Sequence, residues 1–157
     1  MAVIKIFTGA IRSGKTTRLM NWASSQKNID GIFQPVVENK RFIYHIGDRT
    51  LKLLEATDLT PPKSIVEIGK YKFNQDIFDW AGNALLKSFT KDLDWLVVDE
   101  VGQLELDGKG LGSVISEILD NRHNFNGSII FVVRDSLLEK FTDKFNHNNS
   151  FETMEIE

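Results

Sequence analysis

The chain has no cysteine, only three prolines, and no apolar run close to the ~20 residues that a membrane-spanning helix requires. Missing cysteine excludes disulfides, thiolate zinc centres and thiol nucleophiles together. The N-terminus, Met1-Ala-Val-Ile-Lys-Ile6, lacks the basic region, long apolar stretch and small-residue cleavage site of a secretory leader. A reducing, cytoplasmic setting is expected, with no membrane partner. Charge is also balanced, since 19 Lys and Arg stand against 22 Asp and Glu for a formal net of −3. No long-range field draws a polyanion, so nucleic acid is not the expected partner and any anion site must be a local pocket. His45, His123 and His147 are scattered without metal-ligand spacing, and they read as surface or core residues.

What is present fits one globular unit. The 157 residues are 41% hydrophobic and 26% charged, close to average soluble composition, and a single domain over 1–157 is expected. Val3-Ile-Lys-Ile-Phe7, stopped by Thr8-Gly9, reads as a buried strand. Leu19, Met20, Trp22 and Ala23 then put an apolar stripe on a helix from Lys15 to about Lys27. Short apolar runs over 31–38, 41–46 and 50–54 predict a β-meander, with Pro35 marking its first strand as an edge or irregular one. Residues 57–64, with Pro61-Pro62, break regular structure.

Asn74 is a predicted N-cap for a helix running to about Thr90, because Ile77, Phe78, Trp80, Ala81, Ala84, Leu85 and Phe89 recur every three or four residues. Asp94-Trp-Leu-Val-Val98 is a second buried strand. A Gly-rich loop, a helix near 114–119 and a third buried strand, Ser128-Ile-Ile-Phe-Val-Val133, follow. Ser136 and Glu139 have capping-box spacing, which predicts a last helix over about 136–145, and the alternating tail from Ser150 predicts an edge strand. Apolar strands separated by helices imply an α/β fold with a mostly parallel sheet covered on both faces. Ligands of such sheets sit at the carboxyl ends of strands, where Thr8-Gly9, Asp99-Glu100 and Arg134 all fall.

Gly9-Ala10-Ile11-Arg12-Ser13-Gly14-Lys15-Thr16 matches G-x-x-x-x-G-K-[ST] at every fixed position, between a strand and a helix as a phosphate-binding loop requires. Such a loop turns successive N–H groups into one concavity, and the helix opening at Lys15 adds its positive end. Lys15 would reach the β- and γ-phosphates, and Thr16 would offer its hydroxyl to Mg²⁺. Thr17 follows in the same turn, and Arg12 could cover the phosphates or face water.

A metal bridging two phosphates needs an anion opposite Thr16. Asp99, the first charge after the run Trp95-Leu-Val-Val98, is the expected ligand on the Walker B strand. Glu100 is the candidate general base for the attacking water. Asp99-Glu-Val-Gly-Gln103 also has D-x-x-G-Q spacing, so Gln103 competes with Glu100 for that water. Asn39-Lys40-Arg41-Phe42 lacks the Asp of a guanine-reading N-K-x-D element, so guanine selectivity is not supported. Arg134 is the candidate cation for charge developing on the γ-phosphate. Lys70 and Tyr71 are further candidates for the nucleotide cleft.

These residues resemble the small P-loop nucleoside-triphosphatase family that includes the cancer-related nucleoside-triphosphatase. The resemblance rests on Gly9 to Thr17, on Gly31-Ile-Phe followed by Val36-Val-Glu38, on Ile68-Gly-Lys-Tyr71, and on Asp99-Glu-Val-Gly-Gln-Leu-Glu105. It implies a three-layer, RecA-like (ASCE-type) P-loop fold, with an extra strand between the P-loop strand and the Walker B strand and a small β-meander insertion. It further implies Mg²⁺-dependent hydrolysis of several nucleoside triphosphates, ATP and GTP among them, with loose base preference.

Two other readings remain open. A nucleoside or nucleotide kinase shares the loop, but the six arginines here are dispersed rather than gathered in a lid. A nucleotide-dependent switch with little turnover would share the whole site. The sequence sets no oligomeric state.

Overall fold

The computed structural model describes residues 1–10, 13–145 and 150–156. Its elements are β1 (Val3–Gly9), α1 (Lys15–Ala23), β2 (Ile29–Phe33), β3 (Val36–Val37), β4 (Lys40–His45), β5 (Thr50–Leu53), β6 (Ile65–Ile68), β7 (Tyr71–Asn74), α2 (Gln75–Phe89), β8 (Trp95–Val101), α3 (Gln103–Leu106), α4 (Gly112–Asp120), β9 (Ser128–Arg134), α5 (Leu138–Phe145) and β10 (Phe151–Thr153). No helix among the described residues is long and apolar enough to cross a membrane.

The main sheet runs β10-β1-β9-β8-β2-β4-β3, with β5 hydrogen-bonded to β4. Strands β10, β1, β9, β8 and β2 are mutually parallel, while β4 is antiparallel to β2, β3 and β5. This is an α/β fold with a mostly parallel sheet and a small antiparallel insertion, as expected. The extra strand between the P-loop strand and the acidic strand is β9.

Two cores cover the two faces unequally. On one face, Leu19 and Ala23 of α1 pack with Phe7, Val97, Ile130 and Val132. The other face carries Phe78 and Leu85 of α2, Ile115 and Ile118 of α4, and Phe141 of α5 on Ile6, Val98, Ile129 and Phe131. Alternate residues of β8 and β9 thus enter opposite cores, and both strands are apolar on both sides because helices flank both faces.

Three local expectations need correction. The run 31–38 is not one edge strand. It splits into β2, which lies inside the sheet beside β8, and β3; the break comes after Phe33, before Pro35, which has no N–H to give a ladder. The Pro35 carbonyl instead accepts from Phe42 N at 2.9 Å. Helix α1 stops at Ala23 rather than near Lys27, since Ser24 and Ser25 donate their hydroxyls to the Asn21 and Trp22 carbonyls at 2.6 and 2.9 Å. Ser136 does not cap a helix, because it lies in a 3₁₀ turn over Asp135–Leu137 and α5 opens at Leu138.

Helix α2 follows its predicted course, with the Asn74 side chain accepting from Asp76 N at 3.0 Å. The tail strand is β10, on the sheet edge beside β1. The hairpin β6–β7 was not among the expected elements, although its turn lies in Ile68-Gly-Lys-Tyr71, part of the resemblance noted above. His147 lies outside the described residues, as do Ile11 and Arg12 of the loop.

Candidate phosphate and metal site

The loop after β1 is closed by a hydrogen bond from Ser13 N to the Ala10 carbonyl at 3.1 Å, and Gly14 follows it with φ 79° and ψ 22°. That left-handed conformation suits a residue without a Cβ, and from there the chain enters α1 at Lys15. Lys15 is 6% exposed, and its ammonium donates back across the loop to the Ala10 carbonyl at 3.1 Å. Helix α1 has no acidic residue in its first turn and no side-chain cap at its start, so its positive end faces the loop unopposed.

Thr16, one residue into α1, donates its hydroxyl to Asp99 Oδ2 at 2.8 Å. This contact spans two elements far apart in sequence, and the fold explains it. Asp99 belongs to the same face of β8 as Val97, and that face is the one α1 packs on. The same Oδ2 accepts from the Gln34 backbone N at 3.2 Å, just beyond the end of β2. Asp99 is fully buried and its Oδ1 has no hydrogen-bond partner among the described residues. Burial, together with the neighbouring Glu100 charge, pushes Asp99 up to about 6 despite the Thr16 and Gln34 bonds that favour its ionised form.

Glu100 owes its position to an irregularity. In the β8–β9 ladder Asp99 pairs with Val132 and Val101 with Val133, so Glu100 is the extra residue of a bulge. A bulge re-aims a side chain, and here Val101 resumes the face of the larger core while Glu100 is released from the alternation. Its carboxylate, 15% exposed, has Oε1 at 3.8 Å from Arg134 Nη2 and 3.7 Å from Arg41 Nη1. Arg134 ends β9 and its Cα pairs with that of Gly9, which puts it beside the mouth of the loop. Its Nε is buried without a hydrogen-bond partner among the described residues.

Gln103 opens α3, where its amide donates to Asp107 Oδ1 at 3.0 Å, and no hydrogen bond among the described residues turns it toward Glu100. Lys70 and Tyr71 lie at the tip of the β6–β7 hairpin, with the Lys70 ammonium 5.4 Å from the Tyr71 ring centre and Tyr71 stacked on Phe73. Of the predicted residues, the structure therefore brings together Thr16, Asp99, Glu100 and Arg134, with Gly9, Ala10, Ser13, Gly14, Lys15 and Thr17 around them. It leaves Gln103 to a neighbouring turn, and Ile11 and Arg12 lie outside the described residues.

Three contributors were not legible as such. Gln34 acts through its main-chain N–H, which no side-chain pattern reports. Arg41 appeared only as part of a failed guanine motif, and nothing local announces its approach to Glu100. Glu105 holds the turn beyond the acidic strand: its Oε1 accepts from Gly102 N at 2.8 Å and its Oε2 from Leu111 N at 3.0 Å. It is 4% exposed, and burial pushes it up to about 7 against those two bonds.

Comparison with known proteins places this geometry. A family model described as NTPase matches residues 5–157. Nucleoside-triphosphatase THEP1 of Thermotoga maritima is 25% identical over 155 residues, covering 96% of this chain and 84% of its own. The protein of the same name from Thermotoga sp. strain RQ2 is 24% identical over the same shares. The crystal structure of THEP1 from the hyperthermophile Aquifex aeolicus shares the fold with a TM-score of 0.73, at 19% identity over 98% of this chain and 90% of that one. The solution structure of a human cancer-related nucleoside triphosphatase gives 0.68, at 18% identity over 99% and 89%. Since the family model runs from Lys5 to the last residue, the chain belongs to this NTPase family and is a nucleoside-triphosphatase.

Proposed function

We propose that the chain hydrolyses nucleoside triphosphates to diphosphate and phosphate in a Mg²⁺-dependent reaction with little discrimination between bases. The observation that carries this reading is the convergence of the Thr16 hydroxyl and the Asp99 carboxylate at 2.8 Å, with the other Asp99 oxygen buried and unpartnered. A buried carboxylate oxygen without a donor is costly. It fits a hard cation, which prefers oxygen ligands and removes that cost. Thr16 and Asp99 would hold the ion, which when bound supplies charge neutralisation for the phosphates.

The remaining roles belong to the chain itself. The loop N–H groups from Gly9 to Thr17 and the α1 terminus would bind the β- and γ-phosphates, with Lys15 exchanging the Ala10 carbonyl for a phosphate oxygen. Glu100 would accept the proton of the attacking water, with Gln103 as its competitor for positioning that water. Arg134 would meet charge developing on the γ-oxygens. Loose base preference is what a sequence without an N-K-x-D element would allow.

The test is steady phosphate release from ATP, GTP, CTP and UTP at catalytic amounts of protein, with and without Mg²⁺. Lys15→Ala should lose triphosphate binding, and Glu100→Gln should bind nucleotide yet fail to turn over. Normal hydrolysis by Glu100→Gln combined with failure of Gln103→Ala would transfer the water to Gln103. Phosphate appearing on an added nucleoside would make the protein a kinase, and binding without release would make it a switch.

A further inference from the structure

Two arginines from different parts of the sheet converge on one oxygen of Glu100. Arg134 comes from the end of β9 and Arg41 from the antiparallel insertion, at 3.8 and 3.7 Å. Neither distance is that of a hydrogen bond, so both guanidinium groups face the carboxylate as charges and keep N–H donors for another acceptor. Arg41 is held for this by its backbone. Its N–H donates to Glu55 Oε2 at 2.7 Å, its carbonyl accepts from Leu54 N at 2.9 Å, and its Cα pairs with Val36 of β3. Its charge also reaches Asp99, where it favours the ionised carboxylate. Arg41 and Arg134 thus bring two cationic side chains to one carboxylate oxygen, an excess that a polyanion would balance.

We propose that Arg41 is a catalytic residue of the insertion, binding the γ-phosphate together with Arg134, and that both arginines leave Glu100 when the triphosphate enters. This rests on the hydrolytic reading above. In the structure the two guanidinium groups face the carboxylate. In the loaded site the γ-oxygens, which carry more charge and match the planar donor fork, take both arginines, and Glu100 becomes free for water. The water oxygen then bonds to the γ-phosphorus as the bond to the β,γ-bridging oxygen breaks. That electron pair departs on the diphosphate, and the water proton passes to Glu100. The exchange links the base's availability to the presence of a γ-phosphate, so diphosphate alone leaves Glu100 engaged.

The experiment compares wild type with Arg41→Ala, Arg41→Gln and Arg41→Lys. It measures phosphate release, Mg·ADP affinity, affinity for a non-hydrolysable ATP analogue, and capture of ADP by aluminium fluoride as a mimic of the transferring group. Removing the charge should slow turnover by about 10²- to 10³-fold, the scale for one transition-state donor. ADP affinity should stay within about twofold of wild type. Aluminium fluoride capture should be lost, and Arg41→Lys should recover part of both. Wild-type turnover and capture in Arg41→Ala or Arg41→Gln would overturn the proposal, as would a loss of ADP affinity equal to the loss of analogue affinity, which marks a structural residue. If wild type released no phosphate at all, the hydrolytic reading would fail by itself. The arginine exchange would then be judged on whether wild type prefers the analogue to ADP and Arg41→Gln does not.

Discussion

Glu105 makes stability depend on pH in a way that one substitution can isolate. Its carboxylate accepts two backbone N–H groups, from Gly102 and Leu111, in a residue 4% exposed with Gly110 packed against the carboxylate. The two bonds favour the ionised form, but burial outweighs them and, with a smaller push from Glu100, raises the group from 4.5 to about 7. The folded protein therefore binds a proton that the unfolded chain has already lost between those two values. Stability from this group is full below pH 4.5 and is lost as pH rises through 7. At about 1.4 kcal/mol per unit, the loss between pH 4.5 and pH 8 is on the order of 3 kcal/mol.

Glu105→Gln removes the ionisation but supplies only one acceptor oxygen for two donors. It should cost about 1–3 kcal/mol at pH 5, the penalty for a buried donor left unpaired. By pH 8 the wild type has lost a similar amount, so the two proteins should be equally stable or the variant more so. The assay is urea unfolding at pH 5, 6, 7 and 8, taking the difference between the two proteins so that other titrating groups cancel. A difference that does not change with pH over this range would show that Glu105 ionises as it does in water, and the reasoning from burial would be wrong.

Two further substitutions test the frame of the site. Gly31 of β2 has φ +129° and lies so close to β8 that an added Cβ would run into the Val97 backbone, so Gly31→Ala should lower stability by about 3 kcal/mol or more, seen as a lower urea midpoint at unchanged slope. Asp30 is buried at the start of the same strand, 3.0 Å from the Lys91 ammonium and 3.2 Å from His45 Nε2. Burial would raise its pKa, but the Gly31 N–H, Lys91 and His45 together hold it below 3.8. Its stabilisation is thus present above pH 3.8 and lost as pH falls through the depressed value, so Asp30→Asn should cost about 3 kcal/mol at pH 7 and progressively less in acid, as thermal unfolding across pH 2–7 would record.

Legibility followed the range of each signal. The loop from Gly9 to Thr16 could be read because strand, turn and helix are contiguous, and Asp99 because it ends the apolar run of β8. Ser136 misled for the complementary reason. A capping pattern four residues long cannot report that Arg134 and Asp135 leave the sheet through a tighter 3₁₀ turn. Pro35 marked its strand as an edge or irregular one, and the chain took the second course, ending β2 before Pro35 and keeping that strand inside the sheet. Arg41 lay beyond reach because its approach to Glu100 depends on β4 pairing with β2 and β2 with β8, none of which is local.

The strand order explains why the site needs so little sequence to assemble. Placing β9 between β1 and β8 pairs Arg134 with Gly9 on one side and Val132 with Asp99 on the other. One strand thus sets the spacing between phosphate loop and acidic pair while its last residue supplies a cation to the gap. The bulge at Glu100 completes this arrangement, since strict alternation would turn Glu100 to the face opposite Asp99. A regular β8 would therefore keep Asp99 beside Thr16 but turn Glu100 to the opposite face of the sheet. Deleting Glu100 would restore a regular ladder, with Asp99 still opposite Val132 and Val101 still opposite Val133 in the core it fills, and would remove only the carboxylate between the arginines. The meeting of Glu100 with the two arginines is in this sense a consequence of a single extra residue in one strand.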